Sequence, residues 1–173
     1  EPYRYRLDNT LLKGDLEPGY IIFNRYQQRL IERLSGIVEN LPEMVASMDF
    51  TLDEELELER KDDPWPLNTE QADNLWRKII KSRVVSLRIA EKPEEEIVPL
   101  LQKRYQNQLN RVMQSNSEDA FQVYINSMTA LYDPHTNYLS PTTSENFNIN
   151  MSLSLEGIGA VLQTEDEFTK VVR

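Results

Sequence analysis

Apolar residues recur every three or four positions over most of this chain, and this spacing decides its fold class. After Pro18 and Gly19, one such series comprises Phe23, Tyr26, Leu30, Leu34, Ile37 and Leu41. Residues spaced in this way fall on one side of an α-helix, so the segment is predicted to be a long helix with one buried face. Gly36 weakens its end, and Pro42 is expected to kink or stop it because proline lacks the N–H that the helix needs.

Further helices are predicted on both sides of this long one. A short segment from Tyr3 to Leu12 precedes it and ends at Gly14, a residue that commonly stops helices. Three helices follow, with their starts placed by Asn68 as an N-cap, by Pro93 at a first helical position and by Ser117 as an N-cap. The first of these helices is predicted to bury the face of Trp76, Ile79, Ile80, Val84 and Leu87, and the second the face of Ile97, Leu101, Tyr105, Leu109 and Val112. About the first two-thirds of the chain is therefore predicted to be helical.

The stretch from Met48 to Leu67 differs from its surroundings because it is strongly acidic and has no helical spacing. We expect a surface excursion with a short edge strand at Glu55–Arg60, closed by Trp65 between two prolines, with the indole anchoring the loop on the core. The acids lack the spacing and the central glycine of a calcium loop. A solvated face is therefore the simplest interpretation, although such a face can also dock a basic partner.

The composition excludes several classes of function. Nineteen basic residues against 29 acidic ones give a formal net charge of −10, which is unfavourable for binding nucleic acid. No apolar run approaches the roughly 20 residues that span a bilayer. The chain has no cysteine and one histidine, so disulfides, thiol catalysis and cysteine-based zinc sites are excluded. We expect no metal and no cofactor.

The single histidine, His135, lies in a turn-forming segment between Asp133 and Pro141. A triad with Asp133 and Ser140 is conceivable, but all three residues crowd one turn, whereas triad members normally come from separate elements. We therefore expect His135 to hydrogen-bond and pack within an ordered loop. Ser140 and Pro141 are expected to open a short helix that reaches about Met151.

From Leu153 the apolar spacing changes from helical to alternating. Leu153–Gln163 is predicted to be a strand, Thr164–Glu167 a hairpin loop, and Phe168–Arg173 the returning strand. Because an isolated two-stranded hairpin is marginally stable in water, we expect it to begin a second domain that continues beyond this chain. The predicted fold class is mainly α, with a helical domain followed by a β-hairpin.

The segment Gly157-Ile158-Gly159-Ala160 is the most informative motif for function. Two glycines at the start of a strand allow backbone N–H groups to point the same way and to bind a carboxylate. An extended peptide can then pair with the strand edge beyond them, which amounts to capture of a C-terminus. A β-bulge or tight packing explains the glycines equally well.

Two long segments, 133–141 and 151–162, closely resemble the start of the PDZ domain in the tail-specific proteases, which are carboxy-terminal-processing peptidases. Upstream, five short stretches are similar to the helical N-terminal domain of the larger members: Met48-Asp49-Phe50, Pro64-Trp65-Pro66, Leu75-Trp76, Arg104-Tyr105 and Asn116-Ser117-Glu118-Asp119. The resemblance covers nearly the whole chain. It implies a helical N-terminal domain over 1–132, a connector with a short helix over 133–156, and the first strands of a truncated PDZ domain over 157–173.

The resemblance also implies a function. Members of the family are periplasmic or envelope serine proteases that recognise apolar free C-termini through the PDZ domain and cleave with a Ser/Lys dyad. That dyad lies downstream of the PDZ domain, so this segment is expected to have no catalytic residue and to be inactive alone. The carboxylate-binding loop corresponds to six residues here: Gly157, Ile158, Gly159 and Ala160, with Val161 and Leu162 continuing the strand.

The implied partners are protein substrates with apolar C-termini and an envelope adaptor protein, with no nucleic acid and no membrane-spanning segment. The implied location is the bacterial periplasm. An alternative reading of the residues remains open, in which the chain is a freestanding acidic helical module that binds a basic or envelope partner.

Overall fold

The computed structural model describes residues 3–152, 159–165 and 168–172. These residues form six α-helices and a two-stranded antiparallel sheet: α1 Leu7–Leu12, α2 Glu17–Ala46, α3 Thr69–Ile89, α4 Glu94–Gln114, α5 Ser117–Thr129, α6 Pro141–Ser152, β1 Leu162–Glu165 and β2 Phe168–Val171. The predicted fold class, mainly α followed by a β-hairpin, is confirmed. That the hairpin begins a PDZ domain stays a prediction.

The chain divides into two compact units, one of Glu1–Leu30 with Arg111–Arg173 and one of Ile31–Asn110. The core of the second unit is made from the apolar faces of α2, α3 and α4. Its largest fully buried side chains are Tyr105, Leu34, Leu41, Ile80, Ile97, Leu101 and Val84. All seven lie on helical faces that the spacing of apolar residues predicts. Burial of such a face is the main source of helix stability in a folded protein.

Helix α2 continues past Pro42 to Ala46, so of the two expected effects of this proline, a kink or a stop, the stop is wrong. A proline deprives the carbonyl four residues earlier of its helical hydrogen bond, and here that carbonyl belongs to Val38. The side-chain amide of Gln102, on α4, donates to the Val38 carbonyl oxygen at 2.8 Å. The contact satisfies the orphaned acceptor, which reduces the cost of keeping Pro42 inside the helix.

The helix starts follow from side-chain caps. The Asn68 side chain accepts from the backbone N–H of Gln71 at 2.9 Å, as the sequence predicts for α3. Helix α5 is capped by Asn116 rather than by Ser117, which is the first helical residue. Asn116 and Asp119 form a reciprocal capping box, which satisfies backbone donors that a serine one position later does not reach.

The first unit is held together by contacts between segments far apart in sequence. The Tyr124 hydroxyl donates to the backbone oxygen of Leu7 at 3.0 Å, and the Gln27 amide donates to the Val112 carbonyl at 2.9 Å. Gly19 lies against Tyr124, because a Cβ at that position would stand 2.7 Å from the ring Cγ. These contacts fix α1, the start of α2 and α5 within this unit.

The hairpin is shorter at one end and longer at the other than predicted. Strand β1 begins at Leu162, and the register runs from the pair Leu162–Val171 to the pair Glu165–Phe168. Thr164 and Glu165 are therefore paired strand residues and not loop residues. Residues 153–158, where the sequence predicts the start of the first strand, lie outside the described residues. Within the described part of the chain, no helix has the length and apolar character needed to cross a lipid bilayer.

Candidate functional site

The predicted carboxylate-binding loop lies immediately before strand β1. Gly157 and Ile158 fall outside the described residues. Gly159 has a φ of +69°, in the left-handed region that glycine adopts most easily, and apart from its chain neighbours no atom of the described residues lies within 4 Å of where its Cβ would be. The backbone conformation, and not a lack of space, is therefore the reason for glycine at this position.

The residues after Gly159 lead into the paired strand. Ala160 is half-buried, whereas Val161 and Leu162 expose 52% and 59% of their surface. The backbone N–H of Val172 donates to the Val161 carbonyl at 2.9 Å, which extends the pairing of β1 and β2 by one step. No strand among the described residues lies on the other side of β1. An extended peptide can pair with this free side of β1 as a further strand.

The part of the connector that lies between α5 and α6 is fixed to α5 by hydrogen bonds from α5 side chains to the connector backbone. The Asn126 amide makes two of them with Tyr138, since its Oδ1 accepts from the N–H at 2.7 Å and its Nδ2 donates to the carbonyl at 3.0 Å. The Oε1 of Gln122 accepts from the N–H of Ser140 at 3.1 Å. The Asn126 amide thus satisfies both the N–H and the carbonyl of Tyr138, as a neighbouring strand would, and fixes the connector at this residue.

The same face of α5 makes further contacts with the connector. The Thr129 hydroxyl donates to the Thr136 carbonyl at 3.0 Å, and Glu118 accepts from the Tyr138 hydroxyl at 2.8 Å. The rings of Tyr138 and Phe121 meet edge to face, with centroids 5.0 Å apart. The hydrogen bond to the Glu118 carboxylate raises the pKa of the Tyr138 hydroxyl above its ordinary value.

These contacts come from a polar stripe on α5 that the sequence reasoning missed. Its members are Glu118, Gln122, Asn126 and Thr129, which follow one another at steps of four, four and three residues. Such steps place side chains on one helix face. The spacing of these polar residues was therefore visible in the sequence, on the face beside the apolar one. The spacing alone does not identify the segment to which the stripe binds.

Asp133, His135 and Ser140 use their polar groups to shape the connector. The Asp133 carboxylate accepts from the His135 backbone N–H at 3.0 Å and from the Thr136 hydroxyl at 2.6 Å, and these bonds lower the pKa of Asp133. Ser140 is buried, and its hydroxyl lies 2.8 Å from that of Thr143 at the start of α6. The arrangement agrees with the expectation that the three do not form a triad. The His135 side chain is exposed, so the expected packing is wrong.

The acidic excursion is bound to α3 through Glu54. This carboxylate forms a bidentate pair with the Arg77 guanidinium and lies 2.5 Å from the ammonium of Lys81. Lys81 is only 7% exposed and also donates to the Leu52 carbonyl at 3.2 Å. The hydrogen bonds from Arg77 and Lys81 lower the pKa of Glu54 to about 2. The excursion is thus a segment with a charged anchor, in contrast to a wholly solvated face.

An aromatic ring reinforces this anchor. The Arg88 guanidinium lies 4.1 Å from the centroid of the Phe50 ring, within the range of a cation–π contact. Trp65 is 88% exposed, so its predicted role as the anchor is wrong. The predicted edge strand at Glu55–Arg60 is not formed either, and the segment is irregular. Both errors have the same cause, because the partners that hold the segment lie on α3 and were not apparent from the segment itself.

Comparison with known proteins adds a family relationship. The family model described as tail specific protease N-terminal domain matches residues 1–142. A tail-specific protease of Haemophilus influenzae is 34% identical over 167 residues, which cover 96% of this chain and 24% of that relative. The chain therefore spans about a quarter of the length of the curated relative that it matches.

Proposed function

This chain belongs to the tail-specific protease family, and from that membership we propose that it is the non-catalytic N-terminal part of a serine protease that degrades proteins with apolar free C-termini. The observation that carries the proposal is the family match over residues 1–142, which includes the part of the connector between α5 and α6. The identity to the relative extends over 96% of the chain, so it also supports an assignment for the hairpin. In this proposal the helices are a scaffold and the hairpin begins a PDZ domain.

The proposed substrate-binding loop is Gly157–Leu162. The carboxylate of a substrate would meet backbone N–H groups at the glycines, while its last residues pair with the free side of β1. Two features of the described residues support this role. Gly159 has the left-handed backbone that such a loop needs, and β1 has no neighbour on its second side among the described residues.

The proposed scaffold role rests on the connector. Four side chains of α5 bond to it, and buried Ser140 at its end bonds to Thr143 in the first turn of α6. A linker without such bonds would let the following segment move independently. The bonds support a scaffold that starts the PDZ segment from a fixed position on α5.

The proposed catalytic groups are a serine and a lysine in the part of the protease that follows this chain. A lysine whose pKa is lowered by burial can take the proton of the serine hydroxyl and so make the oxygen nucleophilic. We propose a periplasmic location and an envelope adaptor as a further partner, as the family resemblance implies. The purified 173-residue chain should not hydrolyse an unfolded protein, and measurable turnover would contradict its non-catalytic role.

The loop is tested in the complete protease with Gly159→Leu. A leucine disfavours the positive φ, so the KM for a peptide substrate with an apolar free C-terminus should rise about tenfold or more, equivalent to roughly 1.4 kcal/mol. The same peptide with a C-terminal amide should show little change, because it lacks the carboxylate. Gly14→Leu is the matched control, since Gly14 also has a positive φ with open space around it among the described residues. Equal changes for both peptides would remove the loop assignment.

A further inference from the structure

The acidic excursion exposes large apolar side chains a short distance from its anchor. Trp65 is 88% exposed, Leu67 87% and Leu58 80%. Trp65 and Leu67 line a shallow cleft of about 270 Å³ whose walls also include Pro64, Pro66 and Leu75. Single exposed apolar residues are ordinary, but a contiguous patch with an open cleft is typical of an interaction surface.

The two prolines hold the indole in an extended segment. Each fixes its own φ and disfavours helix in the residue before it, so the chain on either side of Trp65 has few alternative conformations. The end of the segment is fixed as well, because the Leu67 backbone N–H donates to the Gln71 side chain at 2.9 Å in the first turn of α3. Little conformational entropy is therefore lost when a partner covers the cleft.

Most acids in the segment that leads to the cleft form no ion pair with the residues that the structure describes. Of the seven acids from Asp53 to Asp63, Glu54 is bound by α3 and Asp63 pairs with Arg60 at 3.0 Å. The segment has one other cation, Lys61. The other five acidic residues are exposed: Asp53, Glu55, Glu57, Glu59 and Asp62.

Three of these acids are close in sequence to residues that line the cleft and are called the acidic rim: Glu57, Glu59 and Asp62. Glu59 adjoins Arg60, which lines the cleft, and Asp62 is two residues before Pro64. Since consecutive Cα atoms are 3.8 Å apart, the backbone of each of these two lies within about 8 Å of a lining residue. Arg60, the charged residue in the lining, is paired with Asp63, so the stretch next to the cleft carries an excess of negative charge, which repels anionic surfaces and attracts cationic ones.

We propose that the cleft around Trp65 and the acidic rim form a docking site for a basic, apolar segment of a partner protein. An aliphatic side chain of that segment would lie between Trp65 and Leu67, and its lysine or arginine residues would contact the rim or the face of the indole. The site shares no residue with the glycine loop at Gly157–Leu162. It therefore stands or fails independently of the proposed C-terminus recognition.

The test uses the full chain and a peptide of alternating leucine and lysine, acetylated and C-terminally amidated so that it offers no carboxylate to the glycine loop. The chain has two tryptophans, Trp65 and Trp76, whose indole N–H groups give separate NMR signals. On titration we expect the Trp65 signal to shift more than that of half-buried Trp76. Trp65→Ala should weaken binding about tenfold or more, as is usual for a central aromatic anchor.

The rim is tested with a triple variant, Glu57→Gln, Glu59→Gln and Asp62→Asn. Binding should weaken several-fold and lose most of its dependence on salt, because the charge attraction is removed. Exposed acids of α2 provide the control, so Glu39→Gln with Glu43→Gln should leave the dissociation constant within about twofold. A greater loss in this control would show a response to net charge alone and would overturn the site.

Three other results would also contradict the proposal. The peptide could bind wild type and Trp65→Ala equally, which would exclude the cleft. A serine–lysine or a glutamate–leucine peptide could bind as tightly, which would show that charge or apolar contact suffices alone. Ultracentrifugation could instead show that the chain self-associates and that Trp65→Ala abolishes the association. This result would identify a second copy of the chain as the occupant of the cleft.

Discussion

Leu101 and Leu162 place the same side chain in two different settings. Leu101 lies in α4 with 0% of its surface exposed, whereas Leu162 lies in β1 with 59% exposed. Their neighbours repeat this contrast. The apolar faces of α2, α3 and α4 are buried in the unit Ile31–Asn110. In the hairpin, by contrast, Val161, Val171 and Val172 expose 52%, 65% and 47% of their surface.

The contrast shows that the two regions depend on different sources of stability. Burial of apolar surface stabilises the helices by roughly 25 cal/mol per Å², but an exposed hairpin gains little in this way. A two-stranded sheet usually needs a further strand or a packed layer. The hairpin is therefore the region whose side chains are available for a partner, as the proposed peptide addition to β1 requires.

The largest expected effect is the loss of a core contact in the helical region. Leu101→Ala should lower the free energy of unfolding by about 2–5 kcal/mol, because it removes buried methyl groups and leaves a cavity. Urea denaturation followed by circular dichroism measures the loss. Leu131→Ala, at a position that is 80% exposed, is the control and should change stability by about 0.5 kcal/mol or less. Equal losses in both variants would mean that α4 is not the centre of this core.

A second effect concerns the charged anchor of the excursion. Glu54→Gln should destabilise the fold at neutral pH, since it leaves the buried Lys81 ammonium without its carboxylate. The folded-state pKa of Glu54 is about 2, below its ordinary value of 4.5. A carboxylate with a lowered pKa stabilises the fold above its unfolded pKa and loses this contribution as the pH falls through its folded pKa.

Urea denaturation of wild type and Glu54→Gln at several pH values checks the anchor. The difference between the two should be largest near neutral pH and should shrink between about pH 4.5 and pH 2. Glu55→Gln removes the same charge one position further on and should have a small effect, because Glu55 is exposed. A difference that does not change with pH would contradict the anchoring role of the ionised carboxylate.

The sequence predicts the helical region well because its pattern is local. The apolar spacing of α2, α3 and α4 identifies all seven fully buried core residues, and Asn68 identifies the start of α3. The errors arise where the partner is distant in sequence. Pro42 is tolerated because of Gln102, which lies 64 residues from the carbonyl that it satisfies. The excursion is anchored through Glu54, 23 residues before Arg77, and Trp65 is left exposed.

The site is less predictable than the core for a related reason. The glycines at 157 and 159 indicate a turn or a close approach, but they do not distinguish a carboxylate loop from a bulge. The resemblance to a family, and not the spacing, favoured the carboxylate loop over the bulge. The polar stripe on α5 was readable as one helix face, yet only the structure identifies the backbone of Tyr138 as its partner.

Helix α2 has a glycine in a packed position, Gly19, and another in an open position, Gly36. Gly19→Ala should destabilise the protein by about 1–3 kcal/mol, because the added Cβ would stand 2.7 Å from Tyr124 Cγ. Gly36→Ala should stabilise it by roughly 0.5–1 kcal/mol, since among the described residues no atom outside the local helix backbone lies within 4 Å of the added Cβ and alanine favours helix. Thermal unfolding of both variants measures the opposite signs. Stabilisation by both would contradict the close packing of Gly19 on Tyr124.

The smallest effect is expected in the hairpin and tests the contrast most directly. Leu162→Ala should change the free energy of unfolding of this chain by about 0.5 kcal/mol or less, although the same substitution at Leu101 costs several times more. In the complete protease, Leu162→Ala should raise the KM for substrates with apolar C-termini, because Leu162 continues the proposed loop. A large loss of stability in the 173-residue chain would instead mean that the hairpin is packed and that its apolar side chains are not available to a substrate.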